Sequence, residues 1–421
     1  MRFRRLFLAT AALLLIATLP ALAIAGQNHT VDSPDAPRLY VANQGEATVS
    51  IINMDTHEVE TTVDLTELGF SSNASPHHVI AEPDGSAWYV SLISENTVLK
   101  FNADNELVSQ GTMEAPGLMA LHPEHDQLFI ARSMMAVSPP QRIGMAPRDD
   151  LAALEEVDVF LDRPHALTIP SDGAFVYSAS LATNQLIGLN VETQRGQLTP
   201  LSGMTHVIVQ LAPAPNGTQI VGTGQLTAQL LFFDRAGDGR LTLVDEVTVG
   251  AQPWHPVYSP DGSRIYVPNK QDNTISVVDA NERTVIETIA DDSFVQPHGA
   301  VLSPDGRYLY VSNNHQRQMM EEMARDMGMD AHAMEDEHGD DEHGDHGHEH
   351  HDHGDDHGHD HEHDSEHEEH DHAEHDGHDG HGHETDDRRG TISVIDTETF
   401  EVVRVIEVGV YPTGIGTQVN Y

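Results

Sequence analysis

Two stretches, SPDGRYLYVSNN at Ser303–Asn314 and GTISVIDTETFEVVRVIEVG at Gly390–Gly409, read as the halves of one unit. An uninterrupted copy, SPDGSRIYVPNKQDNTISVVDANERTVIETI, occupies Ser259–Ile289 and matches both halves in order. The residues between the halves are Met-rich and then His-rich, so they form an insertion inside a finished structural unit. The unit decides the fold, and the insertion poses the question of function.

Working outward, a strand pattern like RYLYVSN recurs as RLYVANQ at Arg38, SAWYVSL at Ser86, DQLFIAR at Asp126, GAFVYSA at Gly173, GTQIVGT at Gly217 and SRIYVPN at Ser263, making seven copies. Most copies are followed by a second apolar run (ATVSIIN, NTVLKFN, NTISVVD) and a weaker third. Short strands with turn signals, recurring about every 40 residues, indicate an all-β seven-bladed propeller with four-stranded blades. The turns agree: Asp84-Gly85, Asp172-Gly173, Asp261-Gly262 and Asp305-Gly306 supply the positive φ that a tight hairpin requires. The first copy lacks an innermost strand while YPTGIGTQVNY at the C-terminus has one to spare, so the propeller, residues 36–421, should close by pairing its two ends. Strands such as Tyr310-Val311-Ser312-Asn313 resemble the YVTN-repeat family of seven-bladed propellers, a resemblance that implies the fold and little about function.

Composition narrows the chemistry. Among 421 residues there is no cysteine, which excludes disulfides, thiolate metal sites and a lipoprotein anchor, leaving His, Met, Asp and Glu as metal ligands. The formal net charge of -47 argues against nucleic acid and for cations. Residues 1–25 carry a basic start, an apolar run and small residues at Ala21, Ala23 and Ala25, the pattern of a signal peptide; Arg4-Arg5 resembles a twin-arginine signature. The expectation is an exported protein, periplasmic or secreted, with no membrane span after signal cleavage.

Two insertions follow a YV-type strand: Ser133–Glu156, with a short helix expected from Asp149, and residues 316–389 in the last blade. Both fall on the propeller face where the chain enters each innermost strand. Histidines collect at those entrances, in PHHVIAEPDG from Pro76, PHALTIPSDG from Pro164, PWHPVYSPDG from Pro253 and PHGAVLSPDG from Pro297. His77, His165 and His298 share one alignment column, His78 and His255 the next, and His206 precedes the fifth copy. Convergent neutral imidazoles form a nitrogen site suited to copper or zinc, with nickel or cobalt also accommodated. The set resembles the propeller of nitrous oxide reductase, in which a His-His pair and single histidines from other blades hold copper. The departure is the missing cysteine and second copper domain, so that enzyme's reaction is not expected; a haem-d1 propeller is a weaker analogy.

Residues 332–383 hold 19 of the 30 histidines among Asp, Glu and Gly, too little apolar content for a core. His343, His346, His348, His350, His351, His353, His357, His359, His361 and His363 are its densest candidate ligands. Before them stand Met319, Met323 and Met327, whose thioethers suit Cu(I); Met320, Met323 and Met327 also fall at helical spacing, as they would in a helix docked on the propeller. The reading is an exported transition-metal-binding propeller for copper or zinc buffering or delivery, with a protein partner on the entrance face. The competing readings are a metalloenzyme with metal at the axis and an interaction scaffold. No nucleophile and base pair is legible, because Ser and Asp recur as turn residues.

Overall fold

The computed structural model describes residues 36–136, 140–315 and 389–418. They form seven four-stranded antiparallel sheets. In blades 2 to 7 the innermost strands are Pro76–Ala81, Pro116–Leu121, Pro164–Thr168, Ile208–Pro213, Val257–Tyr258 and Pro297–Leu302. Blade 1 takes its innermost strand, Pro412–Thr417, from the far end of the chain and pairs it with Arg38–Asn43. The two ends of the propeller therefore share one sheet. Apolar residues of adjacent blades fill the space between sheets, as where Tyr40 stacks on Trp88 and Trp88 on Phe101.

The recurring motifs have side-chain reasons. In YVAN, YVPN and YVSN the final Asn reaches across its hairpin: Asn43 Nδ2 donates to Thr48 and Ser50, Asn269 Nδ2 to Thr274 and Ser276, and Asn313 Nδ2 to Thr391 and Ser393. The Thr-x-Ser of the next strand is its acceptor set. In SPDG, Ser259 donates to Asp261 and accepts from Arg264 N–H, and Ser303 repeats this with Asp305 and Tyr308. Gly262 and Gly306 take φ of 71° and 72°.

Blade 3 corrects the expected insertion of 24 residues there. Arg142–Pro147 is the third strand of that blade, pairing with Gln127–Arg132 and with Glu155–Asp158. RIGMAP hid as a strand because Gly, Met, Ala and Pro replace the usual β-branched residues. The helix expected from Asp149 is a single 3-10 turn at Leu151–Ala153, capped by Asp150, with Leu151 buried against blade 2. The excursion is confined to residues 133–141. The expected insertion at 316–389 lies outside the described residues except for Arg389, which begins the third strand of blade 7.

Each innermost strand is entered through a residue with positive φ. These are Ser75, Ala115, Arg163, Val207, Gln252, Gln296 and Tyr411, at φ of 43° to 54°. The carbonyl of each accepts the amide of the residue that follows its blade's second strand, respectively Ile93, Ser133, Leu181, Gln225, Lys270, Asn314 and Gln44, at 2.8–3.4 Å. A non-glycine residue in that region costs on the order of 1–3 kcal/mol unless its surroundings hold it, and here the bond does so in every blade. Immediately afterwards the ladder slips: the register shifts between Pro76 and His78, between Pro164 and Ala166, and between Pro297 and Ala300. His77, His165 and His298 therefore sit at β-bulges, which re-aim side chains.

Ring closure leaves no room at two glycines of the C-terminal strand. A Cβ on Gly416 would overlap the Val79 carbonyl, and one on Gly414 the His77 carbonyl. Gly416→Ala is expected to destabilise by about 1–3 kcal/mol, read as a lowered urea midpoint. Gly237→Ala, with nothing within 4 Å of the new methyl, should stay within about 0.5 kcal/mol of the parent.

Candidate metal centre

Five of the six candidate histidines outside the tract gather on the entrance face around the axis. His77 and His165 have ring centroids 6.2 Å apart, and His255 and His298 are 5.0 Å apart. The two pairs are close enough to influence each other: a proton on His77 would be felt by His255 and His298, and one on His165 by His255. All five are less than one-tenth exposed. His206 is buried as well, but it is tied to Thr227 Oγ1 at 2.9 Å within blade 5.

Burial, reinforced by the neighbouring imidazoles, pushes His77 and His78 down to about 3. Burial also lowers His165 to about 4, opposed by a backbone hydrogen bond with Arg132. His255 and His298 move in the same direction, first by burial and then by neighbouring charges. All five are neutral at pH 7, the state in which imidazole offers a lone pair.

The tautomers follow from their partners. His165 Nδ1 lies 2.9 Å from the Arg132 carbonyl, so it donates there and the lone pair falls on Nε2. His77 Nδ1 lies 3.1 Å from Gln44 Oε1, and its Nε2 is buried with no partner. His298 has a backbone hydrogen bond with Thr413, and its Nδ1 is buried with no partner. A ring nitrogen anchored on a carbonyl oxygen with the other left bare is the arrangement of histidines that ligate metals. His78 is the reverse. Its Nδ1 accepts from Met119 N–H at 3.2 Å, which leaves the proton on Nε2.

Two imidazoles sharing one tetrahedral ion, at metal–nitrogen distances of about 2.0–2.1 Å, have centroids roughly 5 Å apart. The His255–His298 pair, at 5.0 Å, has that separation, and the His77–His165 pair, at 6.2 Å, is wider. Among the described residues no three His, Asp or Glu side chains already surround a single point, so the pairs are not a finished cage. An axial cavity of about 450 Å³ extends from His78 and His255 toward the hairpin face, lined by Met119, Leu167, Gln210 and Ile415 among others.

Several residues of this face carry no sequence signal in isolation. Gln44, Lys270 and Asn314 all occupy the position just after the YVxN strand, and Trp254 takes the alignment column of His77. Trp254 packs 4.6 Å from His298, and burial lowers Lys270 to about 8. The tract histidines His343, His346, His348, His350, His351, His353, His357, His359, His361 and His363, with Met319, Met323 and Met327, lie outside the described residues.

No family model matches the chain, and no curated protein does either. The fold has many structural neighbours. The periplasmic gluconolactonase of Pseudomonas aeruginosa superposes with a TM-score of 0.58 at 15% identity, over 90% of this chain and 98% of that one. A putative 6-phosphogluconolactonase from Bacteroides uniformis gives 0.57 at 12%, over 91% and 99%. The dihydro-haem d1 dehydrogenase NirN gives 0.52 at 12%, over 91% and 75%. At these identities the likeness is one of fold.

The low pKa values fix a pH dependence for the metal-free protein. Unfolded histidines take up protons below about pH 6.5, whereas His77, His78 and His165 stay neutral in the fold down to about 3 or 4. The unfolded state binds more protons across that window, so stability is complete above it and declines as pH falls through it. Each group adds up to about 1.4 kcal/mol per pH unit. Urea midpoints should drop between pH 7.5 and 5.5, and His165→Gln should flatten the drop; an unaltered slope would mean that His165 is solvated in the fold.

Proposed function

We propose that the protein binds a transition-metal ion on the entrance face of its propeller and serves metal buffering or delivery after export. The observation that carries this reading is the trio His77, His165 and His298, each buried and neutral, with one ring nitrogen engaged by Gln44 Oε1, the Arg132 carbonyl or the Thr413 backbone. With neither thiolate nor carboxylate in that set, copper and zinc are the ions that imidazole nitrogen suits best. Closing the set around one ion requires side-chain movement beyond the two pairs described.

The insertion leaves the same face after His315 and returns at Arg389. Its 19 histidines between 332 and 383 supply a low-specificity collector beside a defined site. Export is read from the leader, residues 1–25. Support for a protein partner comes from four exposed side chains on the entrance-face loops of blades 3 to 5, namely Met135, Phe160, Met204 and Leu226. A catalytic metal centre is the second reading, favoured by the axial cavity that reaches His78 and His255 from the opposite face.

Metal content by mass spectrometry after dialysis tests the proposal on the intact chain and on a version lacking residues 316–388. The shortened protein should keep about one tightly held copper or zinc, and His77→Ala with His165→Ala should lose it. A shortened protein free of metal would overturn the axial site and leave the tract as the only metal-binding element. A coloured or redox-active centre in the shortened protein would favour catalysis over buffering.

A further inference from the structure

The axial cavity has a polar end that none of the three proposed metal ligands supplies. His78, Gln210 and His255 each stand seven residues before the positive-φ glycine of their hairpin, respectively Gly85, Gly217 and Gly262. They therefore occupy one position of the repeat, on blades 2, 5 and 6, and all three line the cavity of about 450 Å³. Two residues further along, on the same face of each strand, the lining turns apolar with Ile80 and Val257, joined by Val301 of blade 7 and Ala120 of blade 3.

Two of the three polar side chains are oriented by the backbone of a neighbouring blade. Each innermost strand lies at the edge of its sheet, paired on one side alone, so its axis-side amides need other acceptors. His78 Nδ1 accepts from Met119 N–H of blade 3 at 3.2 Å. Gln210 Oε1 accepts from Leu167 N–H of blade 4 at 3.4 Å and from Leu211 N–H at 3.1 Å. Each side chain has thereby engaged its acceptor end, and what remains is an N–H donor on Nε2. Neither donor has an acceptor among the described residues, and unlike His77 Nε2 neither is closed off from solvent. Blades 2 and 5 lie three places apart in the ring of seven, so the two donors come from nearly opposite sides of the axis.

We propose that the axial cavity binds a small uncharged organic molecule, its hydrocarbon part against the apolar walls and its carbonyl oxygen on the donors of His78 and Gln210. A carbonyl oxygen has two lone pairs and can accept from both. A space of this size, mostly apolar with a few convergent polar groups, is that of a small-molecule site. Charge is excluded from it: among the described residues no Asp, Glu, Lys or Arg lines the cavity, and burial keeps His78 and His255 neutral. The net charge of -47 further disfavours an anion. The site uses none of His77, His165 and His298, so it stands with or without metal on the entrance face.

Saturation-transfer NMR with camphor, an uncharged ketone, as the probe tests this on the full chain. Excess chelator is present, so the result does not depend on the metal reading. Transfer to camphor should saturate with its concentration, and camphorsulfonate, which keeps the ketone and adds a negative charge, should not compete. Gln210→Glu retains an oxygen for the Leu167 and Leu211 amides but replaces the donor by an anionic acceptor. It should weaken camphor by about tenfold or more in a protein that unfolds as cooperatively as the parent. Ala120→Leu leaves every polar group in place and narrows the cavity wall, and it should weaken camphor as well. Absence of saturable transfer, equal competition by camphorsulfonate, or binding indifferent to either substitution in a cooperatively folded protein would overturn the proposal.

Discussion

The bond from the amide after each second strand to the carbonyl of the positive-φ residue ahead of each innermost strand is the constraint on which the rest depends. It recurs in all seven blades. It turns the chain sharply from the outer edge of one sheet to the axis of the next and holds an unfavourable backbone conformation in place. Everything gathered at the axis is delivered by that turn and by the register slip behind it. Without the slip, His77 and His78 would point to opposite sides of one strand; with it, both are buried near the axis.

The imidazoles are neutral because the blades surround them, and neutrality gives them two different uses. His77, His165 and His298 keep a nitrogen unoccupied, whereas His78 spends its lone pair on the Met119 amide of the next blade. The same residue type therefore serves once as a structural bridge between blades and three times as a candidate ligand. A related division exists among serines. Ser91 bridges the His78 amide and the Gly117 carbonyl, and Ser312 bridges the Gly299 amide and the Thr413 carbonyl, so small hydroxyls fasten blade 2 to 3 and blade 7 to 1.

Much of this was legible in the chain before any coordinates. The Asp-Gly turns, the YVxN strands and the Thr-x-Ser that follows them announce hairpins by their chemistry, and the unpaired first copy announces closure. RIGMAP was not legible, because its strand character comes from the neighbours it pairs with rather than from its own residues. The histidine columns could be aligned, but which nitrogen each exposes could not. That depends on whether a carbonyl or an amide faces the ring, and a bulge decides it. Lys270, Asn314 and Gln44 carried a positional signal, since they are equivalent sites of one repeat, but their meaning appears only when seven such sites are set in a circle.

The Asn313 clamp has one more consequence. Asn313 pairs with Thr391 and grips both Thr391 and Ser393, as Asn269 grips Thr274 and Ser276 where only four residues intervene. The neck of the hairpin is therefore the same whether it carries four residues or more than seventy. For a connection whose ends are already joined, the entropy of closure grows only with the logarithm of its length, about 0.6 kcal/mol per doubling. Lengthening or shortening the run between Asn313 and Thr391 is therefore nearly free for the hairpin that carries it, whose neck is held by the Asn313 side chain rather than by the length of the connection.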